Sequence, residues 1–165
     1  MTVHKKLKMG MVFLLAVIMF QCQQNVNDLT DNTDQSNIKL SRTAQAYTNA
    51  LAQLNKSEGS DSFVIKSVKI DDTALKMHIE VSYGGGCQKH EFSLVWPEVI
   101  TMIYPPNFGV ILNHNANGDT CEAWLTETLT IDLQDDSLWL SDQEIRDMVV
   151  TVINGSNPDE KVPNE

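Results

Sequence analysis

Leu75-Lys76-Met77-His78-Ile79-Glu80-Val81-Ser82-Tyr83 decides the fold class, because apolar and polar residues alternate through it without a break. A two-residue period puts Leu75, Met77, Ile79, Val81 and Tyr83 on one face of a strand and Lys76, His78, Glu80 and Ser82 on the other. On a helix the same residues would scatter around the circumference. Weaker versions of the pattern fall at 63–70, 91–96, 110–114, 121–133 and 148–153. Turn chemistry separates them: Asp71-Asp72, Gly84-Gly85-Gly86, Pro105-Pro106, Asn117-Gly118-Asp119 and Asn154-Gly155. Short strands so punctuated predict an all-β domain over 61–155, an antiparallel β-sandwich or small barrel. Ser141-Asp142-Gln143-Glu144 has the form of a capping box and predicts one helical turn before the last strand.

Upstream, Leu40, Ala44, Tyr47, Leu51 and Leu54 recur at three- and four-residue spacing, which predicts one short amphipathic helix over 38–56. The residues between 23 and 37 are mostly Gln, Asn, Asp, Thr and Ser, too polar to offset the entropy of ordering them, so 22–60 reads as a tether carrying that helix. By the same reasoning 156–165 is expected to be a disordered tail.

The first 21 residues address the chain. Lys5, Lys6 and Lys8 precede an uncharged run from Met9 to Phe20, which stops at Gln21-Cys22. A positive segment followed by a short apolar core is an export signal, too short for the ~20 residues that span a bilayer. Ending on Cys22, it resembles the signal peptide of bacterial lipoproteins. That resemblance implies cleavage before Cys22, a diacylglyceryl group and palmitate on its residues, and a mature chain held in the cell envelope by lipid, at the outer membrane in preference to the inner.

Without the leader and its three lysines, nine basic residues face 22 acidic ones, a formal charge of −13. Phosphate backbones need clustered Lys and Arg, and none occur outside the leader, so nucleic acid is not an expected partner. An acidic surface also repels anionic headgroups, so contact with the membrane rests on the lipid of Cys22. If acylation consumes Cys22, Cys87 and Cys121 remain, and two cysteines in an oxidising compartment pair by default. The bond would close a loop of about 33 residues, an effect of ~2–4 kcal/mol on the unfolded chain.

Cys87, His90, His114 and Cys121 also leave open a four-ligand Cys2His2 metal site, although the second half, His-x6-Cys, is longer than usual structural pairs. Asn113, Asn115, Asn117, Gly118 and Asp119 imitate a calcium loop, yet its bidentate acid would fall on Trp124; Asn-Gly reads better as a hairpin turn. Glu127 shares the parity of Leu125, Leu129 and Ile131, which all want the core, so it is expected to be a buried acid. Such a group needs a β-bulge or a lysine partner, or it marks a hydrolytic site. Trp96, Trp124 and Trp139 would form a carbohydrate platform if exposed together, with core packing the commoner fate. Serine elbows, Walker loops, dinucleotide glycine patterns and His-Glu-x-x-His are absent from the sequence, so no catalytic residue and no cofactor is assigned.

Tyr83-Gly84-Gly85-Gly86-Cys87-Gln88-Lys89-His90-Glu91-Phe92, with 114–122 and 128–133, resembles a group of small uncharacterised lipoproteins of Bacteroidota-type bacteria over 64–153. The resemblance implies one domain and an envelope address, and it carries no activity. The expected function is that of a binding or structural accessory, with an envelope protein or a glycan as partner. A metal-binding protein and a hydrolase built on Glu127 are the rival readings.

Overall fold

The computed structural model describes residues 38–56, 59–98 and 104–165; the leader, Cys22 and the segment up to residue 37 lie outside them. The elements run β1 (Ile38–Ser41), α1 (Ala44–Leu54), β2 (Phe63–Asp71), β3 (Lys76–Gly85), β4 (Glu91–Val95), β5 (Asn107–Asn115), β6 (Ala123–Asp132), α2 (Asp142–Asp147), β7 (Val149–Asn154) and β8 (Asn157–Pro163). Strands form two sheets, a three-stranded one ordered β2-β3-β6 and a five-stranded one ordered β1-β4-β5-β7-β8. The fold is all-β.

The alternating stretch is β3, the centre of the smaller sheet, and Met77, Ile79 and Val81 are completely buried. They pack with Phe63, Ile65, Leu129 and Ile131 of their own sheet and with Phe92, Leu94, Phe108, Val110, Leu112, Val150 and Val152 of the other. One face of each sheet therefore builds a single core, as two-residue periodicity requires. On the outer face of the larger sheet, Ala50 and Leu54 of α1 cover Val95 and Ile111, and the Tyr47 hydroxyl donates to the Gly109 carbonyl at 2.8 Å. Ser141 and Glu144 form the capping box of α2 that the sequence predicts.

Three expectations need correction. The 38–56 segment is a strand and then a helix: β1 pairs in parallel with β4, and Thr43, extended at φ −135°, caps α1 by accepting from the Ala46 N–H at 3.1 Å. A capping side chain starts the helix at its own position, which leaves Ile38 and Leu40 free to follow a strand. Nor is the pairing wholly antiparallel, since β5 and β7 also run parallel. β6 and α2 intervene between those two strands, which supplies the long return that a parallel pair needs.

The third correction concerns the tail, which is β8 followed by two residues that tie both sheets together. Asn164 exchanges hydrogen bonds with Val150, and the Glu165 N–H reaches the Val68 carbonyl at 3.0 Å in the other sheet. Glu160 accepts from the Ile65 N–H at 2.7 Å and from the Asn154 amide at 2.8 Å. Low apolar content misled here because the segment is held by polar contacts at the sandwich edge. Replacing Glu160 by Ala leaves those donors short of a partner, so Glu160→Ala should cost about 1–3 kcal/mol. A lower denaturant midpoint at unchanged slope is the expected reading; an unmoved midpoint would mean the segment is not part of the cooperative fold.

Candidate functional site

The site forms where the loop after β3 meets the connection between β5 and β6. In Gly84-Gly85-Gly86 the last two residues have φ of +151° and +119°. A Cβ on Gly85 would fall 2.4 Å from His90 Nε2, so only glycine lets the imidazole close on the loop. So arranged, the N–H groups of Gly86, Cys87 and Gln88 converge on Asp119 Oδ2 at 2.7, 2.8 and 2.8 Å. Oδ1 accepts from the Cys121 N–H at 2.9 Å. Successive amides aimed at one point form an anion-binding nest, and the anion here is a side chain. Those amides, that of Cys121 foremost, hold the Asp119 carboxyl far below the ordinary carboxylate range.

Asn117-Gly118 does not close a hairpin. Both residues have positive φ, the Asp119 N–H reaches the Ala116 carbonyl at 3.0 Å, and the turn moves the chain from β5 in one sheet to β6 in the other. Asp119 at its end is drawn to the glycine loop, and the Cys87–Cys121 disulfide bonds the same two loops with Cα atoms 5.9 Å apart.

His90 Nε2 lies 3.1 Å from Asp119 Oδ2, and its Nδ1 lies 2.8 Å from His114 Nε2. Since the carboxylate only accepts, Nε2 of His90 is a donor; in a neutral His90 the Nδ1 then accepts from His114 Nε2–H. His114 Nδ1, on the far side of this pair, is buried. Tyr83 lies over His90 at 4.6 Å between ring centres, and Phe92 lies over His114 at the same distance. Burial and the neighbouring His90 push the His114 pKa below its ordinary value, although the backbone of Asp61 and Ser62 opposes that.

A cleft of about 490 Å³ opens over His114 between the start of β2 and the start of β6. Asp61, Val64, Gly84, Thr120 and the Cys121 end of the disulfide line it beside Trp124, which is 64% exposed at its lip. The volume sits within the ~300–1,000 Å³ usual for small-molecule sites.

Of the sequence candidates, Cys87, His90, His114 and Cys121 do come together, in a different chemistry from a metal centre. The two sulfurs are bonded to each other, the imidazoles to one another, and His90 to Asp119, which leaves no converging set of free ligand atoms among the four. The calcium-loop residues diverge likewise: Asn117 donates to the Lys89 carbonyl and Asn115 accepts from the Asn117 N–H. Glu127 is half-buried with neither the bulge nor the lysine partner foreseen for it. It faces the Tyr83 hydroxyl, and burial with this carboxylate pushes the tyrosine pKa up to about 12. The three tryptophans share no platform: Trp96 is fully buried against Phe108, Trp139 lies beside Arg42, and only Trp124 borders the cleft. Asp119 was missed as a site residue because it reads as turn chemistry; a glycine run that presents bare amides was the available signal for an anion.

A carboxyl whose folded pKa is depressed stabilises the fold fully above its unfolded value of ~3.9 and loses that contribution as pH falls. The stability gap between the native protein and Asp119→Asn should thus be widest at neutral pH and should narrow progressively in acid. Unfolding midpoints measured from pH 7 to 2 check this; a gap that stays constant with pH would contradict it.

Comparison with known proteins adds little to this geometry. No family model and no curated protein matches the chain. Among solved structures, it is similar to a protein of unknown function DUF1344 from Bacteroides vulgatus, at 17% identity and a TM-score of 0.46. The match covers 76% of this chain and 53% of the other, so the chain spans about half the length of that structure.

Proposed function

We propose that the chain is an exported, lipid-anchored module of the bacterial cell envelope that binds a ligand or partner in the cleft beside Trp124. The observation that carries this reading is the Cys87–Cys121 disulfide, a bond kept in oxidising compartments, which fixes the wall of an open cleft. The export signal and Cys22 supply the address, and the acidic mature chain leaves membrane attachment to lipid. Among the described residues no helix is long and apolar enough to cross a membrane.

Binding is favoured over catalysis by how the polar groups are spent. His90 is held between Asp119 and His114, Ser60 Oγ accepts from the His114 backbone, and among the described residues no hydroxyl or thiol is bonded to either imidazole. The base–nucleophile pair of a covalent hydrolase is not assembled. Glu127 lies outside the cleft lining and is engaged with Tyr83.

Cys22→Ser should move the protein from the membrane fraction to the soluble one, or leave it as uncut precursor, because two acyl chains anchor stably where one does not. A mature form without lipid mass on Cys22 would overturn the anchoring. Alkylation of denatured, unreduced mature protein should modify neither Cys87 nor Cys121, and reduction should cost about 2–4 kcal/mol of stability. Two titratable thiols in the native protein would remove the main support for the envelope address.

A further inference from the structure

We propose that the outer edge of β6 pairs antiparallel with β6 of a second copy, so that the smaller sheet continues into its mate as a two-fold dimer. This goes beyond the reading of the cleft, because it concerns the backbone of the strand and not a ligand in the pocket. Among the described strands β6 pairs with β3 alone. The Leu133 N–H donates to the Leu75 carbonyl at 3.0 Å, which continues the β3–β6 register and fixes the direction of each backbone group. By two-residue alternation Leu125, Glu127 and Leu129 turn their N–H and C=O to β3, while Trp124, Thr126 and Thr128 turn theirs outward. Among the described residues nothing bonds to those outward groups.

Every other sheet edge carries a device against strand addition. β1 is only four residues long, and β8 contains Pro158, Lys161 and Pro163. β2 has a register shift between Ile65 and Ser67, and Glu160 and Glu165 occupy its Ile65 N–H and Val68 carbonyl. β6 runs for ten residues without Pro, Lys, Arg or a register shift, and it carries Trp124, 64% exposed. The strand is also its own complement. A two-fold axis at Thr126 sets Thr126 against Thr126 of the copy and Trp124 against Thr128, both favoured cross-strand pairs, and every outward N–H and C=O of these three residues then finds a partner. Glu127 falls opposite Leu125 of the copy, whereas an axis at Glu127 would set two carboxylates face to face. The solvent face of this sheet mixes Lys69 and Lys76 with Asp71, Glu80 and Asp132, so a copy meets no field of one sign there, and a strongly charged strand gains no preference. The chain's own 23–37 segment, mostly Gln, Asn, Asp, Thr and Ser, is poor in the residues that strands favour.

Sedimentation equilibrium of the oxidised mature chain should show a monomer–dimer equilibrium that tightens as salt screens the net negative charge of both copies. Thr126→Lys and Thr126→Glu each set like charges across the axis and should weaken self-association about ten-fold or more; an equimolar mixture of the two should restore it. Amide hydrogen exchange supplies an independent readout. Trp124, Thr126 and Thr128 should be protected in the dimer and lose protection on dilution, while Leu125, Glu127 and Leu129 stay protected throughout. A chain that remains monomeric up to about 1 mM would overturn the proposal, and residue 126 cross-linking in cells only to a different protein would then assign the edge to a foreign strand. A dimer indifferent to both substitutions, or weakened by them without rescue in the mixture, would overturn it as well. So would protection of the outward amides that is independent of concentration and lost when 23–37 is deleted, which would assign the edge to the chain's own tether.

Discussion

The rest of the site depends on one buried carboxylate. Asp119 has a fully buried side chain and is satisfied by four backbone N–H groups and one imidazole. A carboxylate closed off from water needs other donors, so its presence here requires the nest of amides, and the nest requires glycines whose backbone can turn that way. From this constraint follow the close seat of His90 against Gly85, the orientation of His114 behind it, and the proximity at which Cys87 and Cys121 bond. The disulfide and the carboxylate tie the same two loops by different physics: one constrains the unfolded chain, the other pairs charge with dipoles in the folded one.

Those loops bridge the two sheets. β3 leads into β4 and β5 into β6, and each passage crosses from one sheet to the other. The far edge is bridged separately, by Glu160 and Glu165 reaching across to Ile65 and Val68 of β2. A core shared by two small sheets is thereby closed at both ends with polar contacts, while Met77, Ile79 and Val81 supply apolar burial at its centre.

Much of the fold was legible from local pattern. The alternation through Leu75–Tyr83, the capping box at Ser141 and the pairing of Cys87 with Cys121 all depend on neighbours in sequence or on compartment chemistry. What was not legible depends on distant partners. β1 looked helical because Leu40 falls at helical spacing from Ala44, and only the parallel place beside β4 and the Thr43 cap decide otherwise. β8 looked disordered because its contacts are polar and its partners lie up to 95 residues away. Glu127, expected to be buried, is half-buried opposite Val81, and its partner, Tyr83, sits two residues along β3 and carries no charge to signal the pairing. Asp119 was read only as part of a turn and a calcium-loop imitation for a related reason: a turn aspartate and a nest-bound aspartate have the same sequence.

The central claim is that Asp119 is an ionised anchor for the glycine loop, and a ¹³C NMR titration of its side-chain carboxyl tests this most directly. The expected result is a carboxyl that stays ionised well below the ordinary Asp range, with the amide signals of Gly86, Cys87, Gln88 and Cys121 moving only when it finally protonates. An Asp119 that titrates near the ordinary aspartate value of ~3.9, with those four amides indifferent to it, would contradict the account.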